Sequence, residues 1–241
     1  MKKLSQWTSL HLLFLLLACA GFACSSHSFQ RYRLNINEDK KDAPVVYMAL
    51  GDSTCLGVGA RKDGGYAARI LTRIRQARPE SQLINLCRAG ATANTVLREQ
   101  TNQKDSVHPT LITLSVGGND LIRGVEEGAF AEKFEEIVLR LKEFGVPIVV
   151  TNLPDISLAP ALPASMREDV RRRAIVFNAR IGEIAKRHGL LSVDLYGMSR
   201  EVIPAHPEFF STDGFHPSDA GYEFWVEMMW PEVKKAIFPA D

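Results

Sequence analysis

Five short apolar runs, separated by longer stretches of helical periodicity, set the strictest limit on how this chain can fold. From Pro44 onward the runs are VVYMAL (45–50), QLINL (82–86), TLITLSV (110–116), PIVVTN (147–152) and LLSVDL (190–195). Each has strand length, and near-continuous apolar character predicts strands covered on both faces. Between them the spacing changes. Phe130, Phe134, Ile137, Val138, Leu141 and Phe144 recur at helical intervals, closed by Gly145. Tyr66, Ile70 and Ile74 predict a helix that stops before Pro79. Ser165-Met-Arg-Glu168 has the pattern of a capping box opening a helix that buries Val170, Ala174, Phe177, Ile181 and Ile184 and ends at Gly189. Strands alternating with helices predict an α/β fold with a parallel five-stranded sheet, right-handed crossovers and helices on both faces.

The length of 241 residues suits one such domain, and 46% hydrophobic with 24% charged residues is ordinary globular composition. The formal net charge is +1, without the basic stripe that a nucleic-acid partner requires. Arg171, Arg172 and Arg173 fall in a helical pattern and read as a solvated helix face.

The N-terminus reads as an export signal over residues 1–23. Lys2 and Lys3 precede the apolar core LLFLLLACA (12–20), which is short for a membrane span. Removing both lysines with a cleaved signal takes the formal charge from +1 to −1. Two processing routes stay open. Ala18-Cys19-Ala20 fits a small-residue cleavage site. Leu16-Leu17-Ala18-Cys19 resembles a bacterial lipoprotein signal, in which the cysteine is lipidated and anchors the chain to a membrane; Cys24 is a second candidate. The expected location is the bacterial cell envelope or the exterior. Residues 24–43 are polar and aperiodic and read as a tether, leaving residues 44–241 as the folded domain. There Cys55 and Cys87 leave two readings: a disulfide, as an oxidising compartment permits, or two buried thiols.

In a parallel sheet, ligands gather beyond the C-terminal strand ends, and four motifs with candidate chemistry are read at strand ends. GDSTCLGVGA (51–60) puts Ser53 just past the first run. It is not a G-x-S-x-G elbow, because Cys55 stands where the last glycine would be. CRAGAT (87–92) offers a backbone N–H at Gly90 and a helix cap at Thr92. GGND (117–120) follows the third run, and STDGFHPSDAGYEFW (211–225) brings Asp213 and His216 three residues apart, with Ser218 as a cap for the next helix. Each motif alone is an ordinary turn. Together they supply the parts of serine acyl transfer. A serine hydroxyl needs a base within hydrogen-bond reach, the base needs a carboxylate to fix its tautomer, and the tetrahedral intermediate needs donors aimed at its oxyanion. His216 and Asp213 fill the middle two roles. The Ser53 N–H, the Gly90 N–H and the Asn119 side-chain amide are the candidate donors, with Gly117 and Gly118 letting a loop bring Asn119 close.

These motifs, in this order, resemble the SGNH hydrolase superfamily, also called GDSL esterases and lipases: GDS (51–53), the glycine of RAGAT (90), GGND (117–120) and DGFHP (213–217). The likeness runs from about Tyr47 to the last helix. It implies a flavodoxin-like three-layer α/β/α sandwich and no metal or organic cofactor. It also implies Ser53 as nucleophile, His216 as base, Asp213 as the orienting carboxylate, and Gly90 and Asn119 completing the oxyanion hole. Thr54 departs from the usual GDSL block at a position without chemistry.

The remaining histidines, His11, His27, His108, His188 and His206, carry no such surroundings. Asp52 and Asp120 read as turn-holding carboxylates, Asp155 as a loop cap at the same sheet edge, and Asp194 as a buried hydrogen-bonding carboxylate. No Cys/His cluster suits zinc and no phosphate loop is present. The expected substrate is a carboxylic ester: a lipid, as for a lysophospholipase or short-chain lipase, or an O-acetylated carbohydrate. Transfer to an acceptor other than water is chemically open. A reading from another class is an envelope lipoprotein that keeps the fold as a noncatalytic binding module.

Overall fold

The computed structural model describes residues 43–102 and 106–238. The expected export signal, the tether up to residue 42, and Cys19 and Cys24 lie outside the described residues. Five parallel strands, β1 (Val46–Gly51), β2 (Gln82–Asn85), β3 (Leu111–Ser115), β4 (Ile148–Thr151) and β5 (Leu191–Val193), form one sheet in the order β2-β1-β3-β4-β5. This is the flavodoxin-like doubly wound order; four strands fall within an apolar run of the sequence, and β1 extends one residue past its run, to Gly51. The helices are α1 (Ser53–Leu56), α2 (Tyr66–Ala77), α3 (Ala93–Glu99), α4 (Gly118–Ile122), α5 (Glu127–Lys142), α6 (Ala164–His188), α7 (Leu195–Val202) and α8 (Asp219–Ile237).

Side-chain alternation along β1 divides the core into two layers. Met48 and Leu50 pack with Ile112 and Leu114 against Phe130, Phe134, Val138, Phe177 and Ile181 of α5 and α6. Tyr47 and Ala49 pack on the other face with Tyr66, Ile70, Ile74, Trp225, Val226 and Met229 of α2 and α8. The Phe130 and Phe177 rings stack at 4.4 Å. Each such fully buried ring contributes about 1.5–3 kcal/mol by leaving water. The two edge strands depart from the expectation of strands covered on both faces. β2 is half exposed along its length and β5 is only three residues long with one buried position, because each lacks a neighbour on one side.

Helix termini show which local signals hold. The Thr92 hydroxyl accepts from Thr95 N–H and caps α3, Ser218 accepts from Gly221 N–H and caps α8, and Gly189 closes α6 at φ 67°. The capping box at Ser165 is not formed. α6 starts two residues earlier, at Ala164, with Pro163 in the cap position at φ −55° and no side-chain cap; the proline ring pre-sets the entry and leaves Ser165 inside the first turn. The arginine run is not simply a solvated face. Only Arg172 of the three is exposed. Arg173 turns inward to donate to the Leu121 and Val125 carbonyls, and Arg171 reaches the Ser157 hydroxyl at 3.3 Å. Asp194 does hydrogen bond, accepting from Gly197 N–H and from Asn152, but it is exposed rather than buried. Cys55 and Cys87 form a disulfide with Cα atoms 5.9 Å apart, joining α1 to the segment that follows β2.

Candidate active site

The site lies at the C-terminal edge of the sheet. β1 ends at Gly51, and buried Gln100 grips that residue from both sides. Its Oε1 accepts from Gly51 N–H and its Nε2 donates to Gly51 O, both at 2.9 Å. Asp52 then caps α1, accepting from Thr54 N–H at 3.0 Å and from the Thr54 hydroxyl at 2.9 Å. Ser53 is the first residue of α1, so its N–H belongs to the turn of a helix whose amides lack intrahelical acceptors. Burial raises the Asp52 carboxyl above its usual value, opposed by the Thr54 bonds, the nearby His216 and the Asn119 amide.

His216 Nε2 stands 3.0 Å from Ser53 Oγ, and His216 Nδ1 stands 2.6 Å from Asp213 Oδ2. With Nδ1–H donating to the carboxylate, the neutral imidazole presents Nε2 as an acceptor to the serine hydroxyl. The other Asp213 oxygen accepts from the Ser211 hydroxyl and from the Phe215 and His216 N–H groups at 2.8, 2.8 and 2.9 Å. Burial works against the charge of Asp213, but the bonds from His216, the two backbone amides and Ser211 outweigh it and hold the carboxyl well below 3.8. This carboxylate is therefore ionised wherever the protein is folded near neutral pH.

The Asp213–His216 loop does not directly follow a strand, contrary to the strand-end pattern expected from the sequence. α7 and two short 3₁₀ turns, Ile203–Ala205 and Pro207–Phe209, separate it from β5. The loop reaches the sheet edge because it folds on itself. Ser211 N–H donates to His216 O at 2.8 Å, Phe210 bridges Pro217, and Ser218 N–H returns to Phe209 O at 2.8 Å. Ala161 N–H also donates to Gly214 O at 3.0 Å, pinning the loop to the segment before α6.

Asn119 sits in the five-residue helix α4 rather than in an open loop. Of the two preceding glycines, Gly117 carries the constraint: its φ is 128°, and a Cβ there would lie 2.9 Å from the Phe130 ring. Gly118 opens the helix in ordinary backbone, where a Cβ would make van der Waals contacts with Ile156 and Asp52. Asn119 Nδ2 donates to Ala91 O at 3.1 Å. That nitrogen carries two hydrogens, and the amide also hydrogen bonds the Asp52 carboxylate. Gly90 occupies the left-handed region at φ 76° in the turn before α3. Asp120 is buried and accepts from Ala93 N–H through both oxygens at 2.9 and 3.2 Å. Burial raises its carboxyl above the usual value.

Ser53, Gly90, Asn119 and His216 share the wall of one pocket of about 390 Å³. The rest of that wall is largely apolar, including Ile122, Leu153, Ile156, Phe209, Phe215 and Phe224. Asp155 also lines it and caps the turn Ile156–Leu158 through Ser157 N–H. Sequence reasoning missed Gln100 and Arg123. Gln100 follows an amphipathic helix with no motif around it. Arg123 lies just beyond GGND and reaches Gly90 O at 3.0 Å; its place four residues after Asn119, one helical turn on, is the signal that was available.

A GDSL-like esterase of Mycobacterium tuberculosis is 25% identical over 216 residues, covering 86% of this chain; the chain spans 66% of that relative's length. Esterase TesA of Pseudomonas aeruginosa is 20% identical over 81% of this chain and 90% of its own. The solved structure of a catalytic mutant of Axe2, an acetylxylan esterase from Geobacillus stearothermophilus, superposes with a TM-score of 0.66 at 18% identity, covering 82% of this chain and 97% of that one. The model of the GDSL-like lipase/acylhydrolase family matches residues 49–224, a span that takes in Ser53, Gly90, Asn119, Asp213 and His216. That match spans most of the chain, and the chain belongs to the GDSL-like lipase/acylhydrolase family.

Proposed function

We propose that the protein is an exported serine esterase that cleaves carboxylic esters with an apolar acyl chain through an acyl-Ser53 intermediate. The observation that carries this reading is the 3.0 Å contact between His216 Nε2 and Ser53 Oγ, continued at 2.6 Å to Asp213. His216 takes the hydroxyl proton as Oγ attacks the ester carbonyl. The tetrahedral oxyanion draws on the Ser53 and Gly90 N–H groups and the Asn119 amide. His216 then gives its proton to the leaving alcohol, and the acyl-enzyme forms. A water, deprotonated by the same imidazole, attacks the acyl carbon and releases the acid and free Ser53.

The apolar pocket wall favours a lipid-like acyl group, as in a lysophospholipase or short-chain lipase, over the acetyl group of a carbohydrate. A deacetylase needs room for one methyl, and 390 Å³ falls within the ordinary range for a larger ligand. A series of p-nitrophenyl esters tests this. Each additional buried methylene is worth about 0.8 kcal/mol. By that figure kcat/KM rises about 15-fold from acetate to butyrate and continues to rise toward octanoate. A maximum at acetate, with falling values beyond it, contradicts the acyl-chain reading and favours a deacetylase. The leader sequence and the polar tether support attachment to the cell envelope through a lipidated Cys19 or Cys24; palmitate labelling of neither cysteine contradicts that part.

A further inference from the structure

We infer that Arg123 is a positioning residue of the oxyanion hole, locking the Gly90 arm onto the helix that carries Asn119. This rests on the acyl-Ser53 reading above.

The Gly90 arm needs such a lock. It lies in a turn between β2 and α3, outside any strand or helix, and Arg88 and Ala89 beside Gly90 are exposed. Gly90 itself has the broad conformational freedom of a residue without Cβ. An oxyanion donor that samples several orientations loses the advantage of being fixed before the reaction begins. Three side chains from one short stretch meet this arm. Asn119 Nδ2 donates to Ala91 O at 3.1 Å, Asp120 accepts from Ala93 N–H, and Arg123 Nη2 donates to Gly90 O at 3.0 Å. Residues 119, 120 and 123 thus hold residues 91, 93 and 90. The two donor-bearing segments, far apart in sequence, become one unit.

Arg123 is the member that reaches Gly90 itself. A Cβ placed on Gly90 would lie 3.2 Å from its Nη2, so the guanidinium closes over the glycine and limits how the peptide turns. Arg123 follows directly after Ile122, the last residue of α4, and its own N–H donates to Asn119 O at 3.0 Å. Its backbone is therefore fixed relative to Asn119, and the side chain carries that reference across to Gly90. The outward side of this arginine is exposed to solvent, so replacing it removes the bond to Gly90 without opening the core.

The test compares Arg123→Gln, Arg123→Lys and Asn119→Ala with wild type, using p-nitrophenyl butyrate turnover, the rate of fluorophosphonate labelling and thermal melting. Asn119→Ala removes a donor outright and sets the upper limit, a loss in kcat of about 10²- to 10³-fold. Arg123→Gln is expected to lower kcat and the labelling rate by about 10- to 100-fold, with KM within about twofold and the melting temperature nearly unchanged. Arg123→Lys, which keeps a charged donor without the planar fork, recovers part of that loss. A Gln variant with wild-type kcat, or one whose whole effect is on KM, overturns the inference. So does a Lys variant no better than Gln. If Ser53→Ala stays active, the underlying acyl-serine reading fails; if Ser53→Ala is inactive while Arg123→Gln matches wild type, only the role of Arg123 fails.

Discussion

Ser53→Ala is expected to lower kcat for p-nitrophenyl butyrate by about 10⁶-fold, a loss of about 8 kcal/mol of transition-state stabilisation. The hydroxyl is the atom that bonds to the acyl carbon, and its neighbours cannot replace it. Thr54 directs its hydroxyl to Asp52, and Ser115 Oγ accepts from the Thr151 hydroxyl at 2.8 Å. The fold should be unaffected. Ser53 contributes its backbone to the start of α1, where its carbonyl accepts from Gly57 and Val58 N–H at 2.9 and 3.0 Å, and alanine preserves those bonds. A circular dichroism spectrum and melting temperature matching wild type, with turnover at background, is the predicted result. Activity within about tenfold of wild type excludes Ser53 as the nucleophile.

His216→Ala is expected to cost nearly as much, again about 10⁶-fold in kcat. Without the imidazole nothing near Ser53 Oγ can accept its proton. Asp213 faces His216 Nδ1, on the far side of the ring. Asp52 is committed to the Thr54 N–H and hydroxyl. Because the serine and the histidine act in one proton transfer, their losses do not add: the Ser53→Ala/His216→Ala double variant should be no slower than either single variant within about threefold. Full additivity in that cycle contradicts a shared proton transfer. Asp213 works through the ring, so Asp213→Asn leaves Nε2 in place but disfavours the tautomer that can accept from Ser53.

The pattern of apolar runs was sufficient to find all five strands, because strands buried in a parallel sheet leave a near-continuous hydrophobic signature. It overstated the burial of β2 and β5, since an edge position depends on strand order, which local periodicity does not encode. The motif residues were legible because hydroxyl, imidazole, carboxylate and amide types stand out against turn sequence. The structure places Ser53, His216, Gly90 and Asn119 around one pocket, with Asp213 behind the imidazole. What held them there was not legible. Gln100 grips Gly51 from 49 residues away, and Arg173 reaches back 52 residues to the Leu121 carbonyl. In both cases a long polar side chain serves a backbone group, and nothing in the neighbouring sequence marks that partner. The capping box at Ser165 failed for the opposite reason: Pro163, two residues before it, had already decided where the helix would begin. The disulfide lay between, since two cysteines 32 residues apart permit a bond, and only the packing of α1 against the segment after β2 brings them together.

The most direct test of the acyl-serine mechanism is to treat the folded protein with a fluorophosphonate and map the added mass by peptide analysis. The expected result is a single phosphonylated site at Ser53, with labelling lost in Ser53→Ala and greatly slowed in His216→Ala. Folded wild-type protein that takes no label, or a label that maps elsewhere and persists at the wild-type rate in Ser53→Ala, would contradict it.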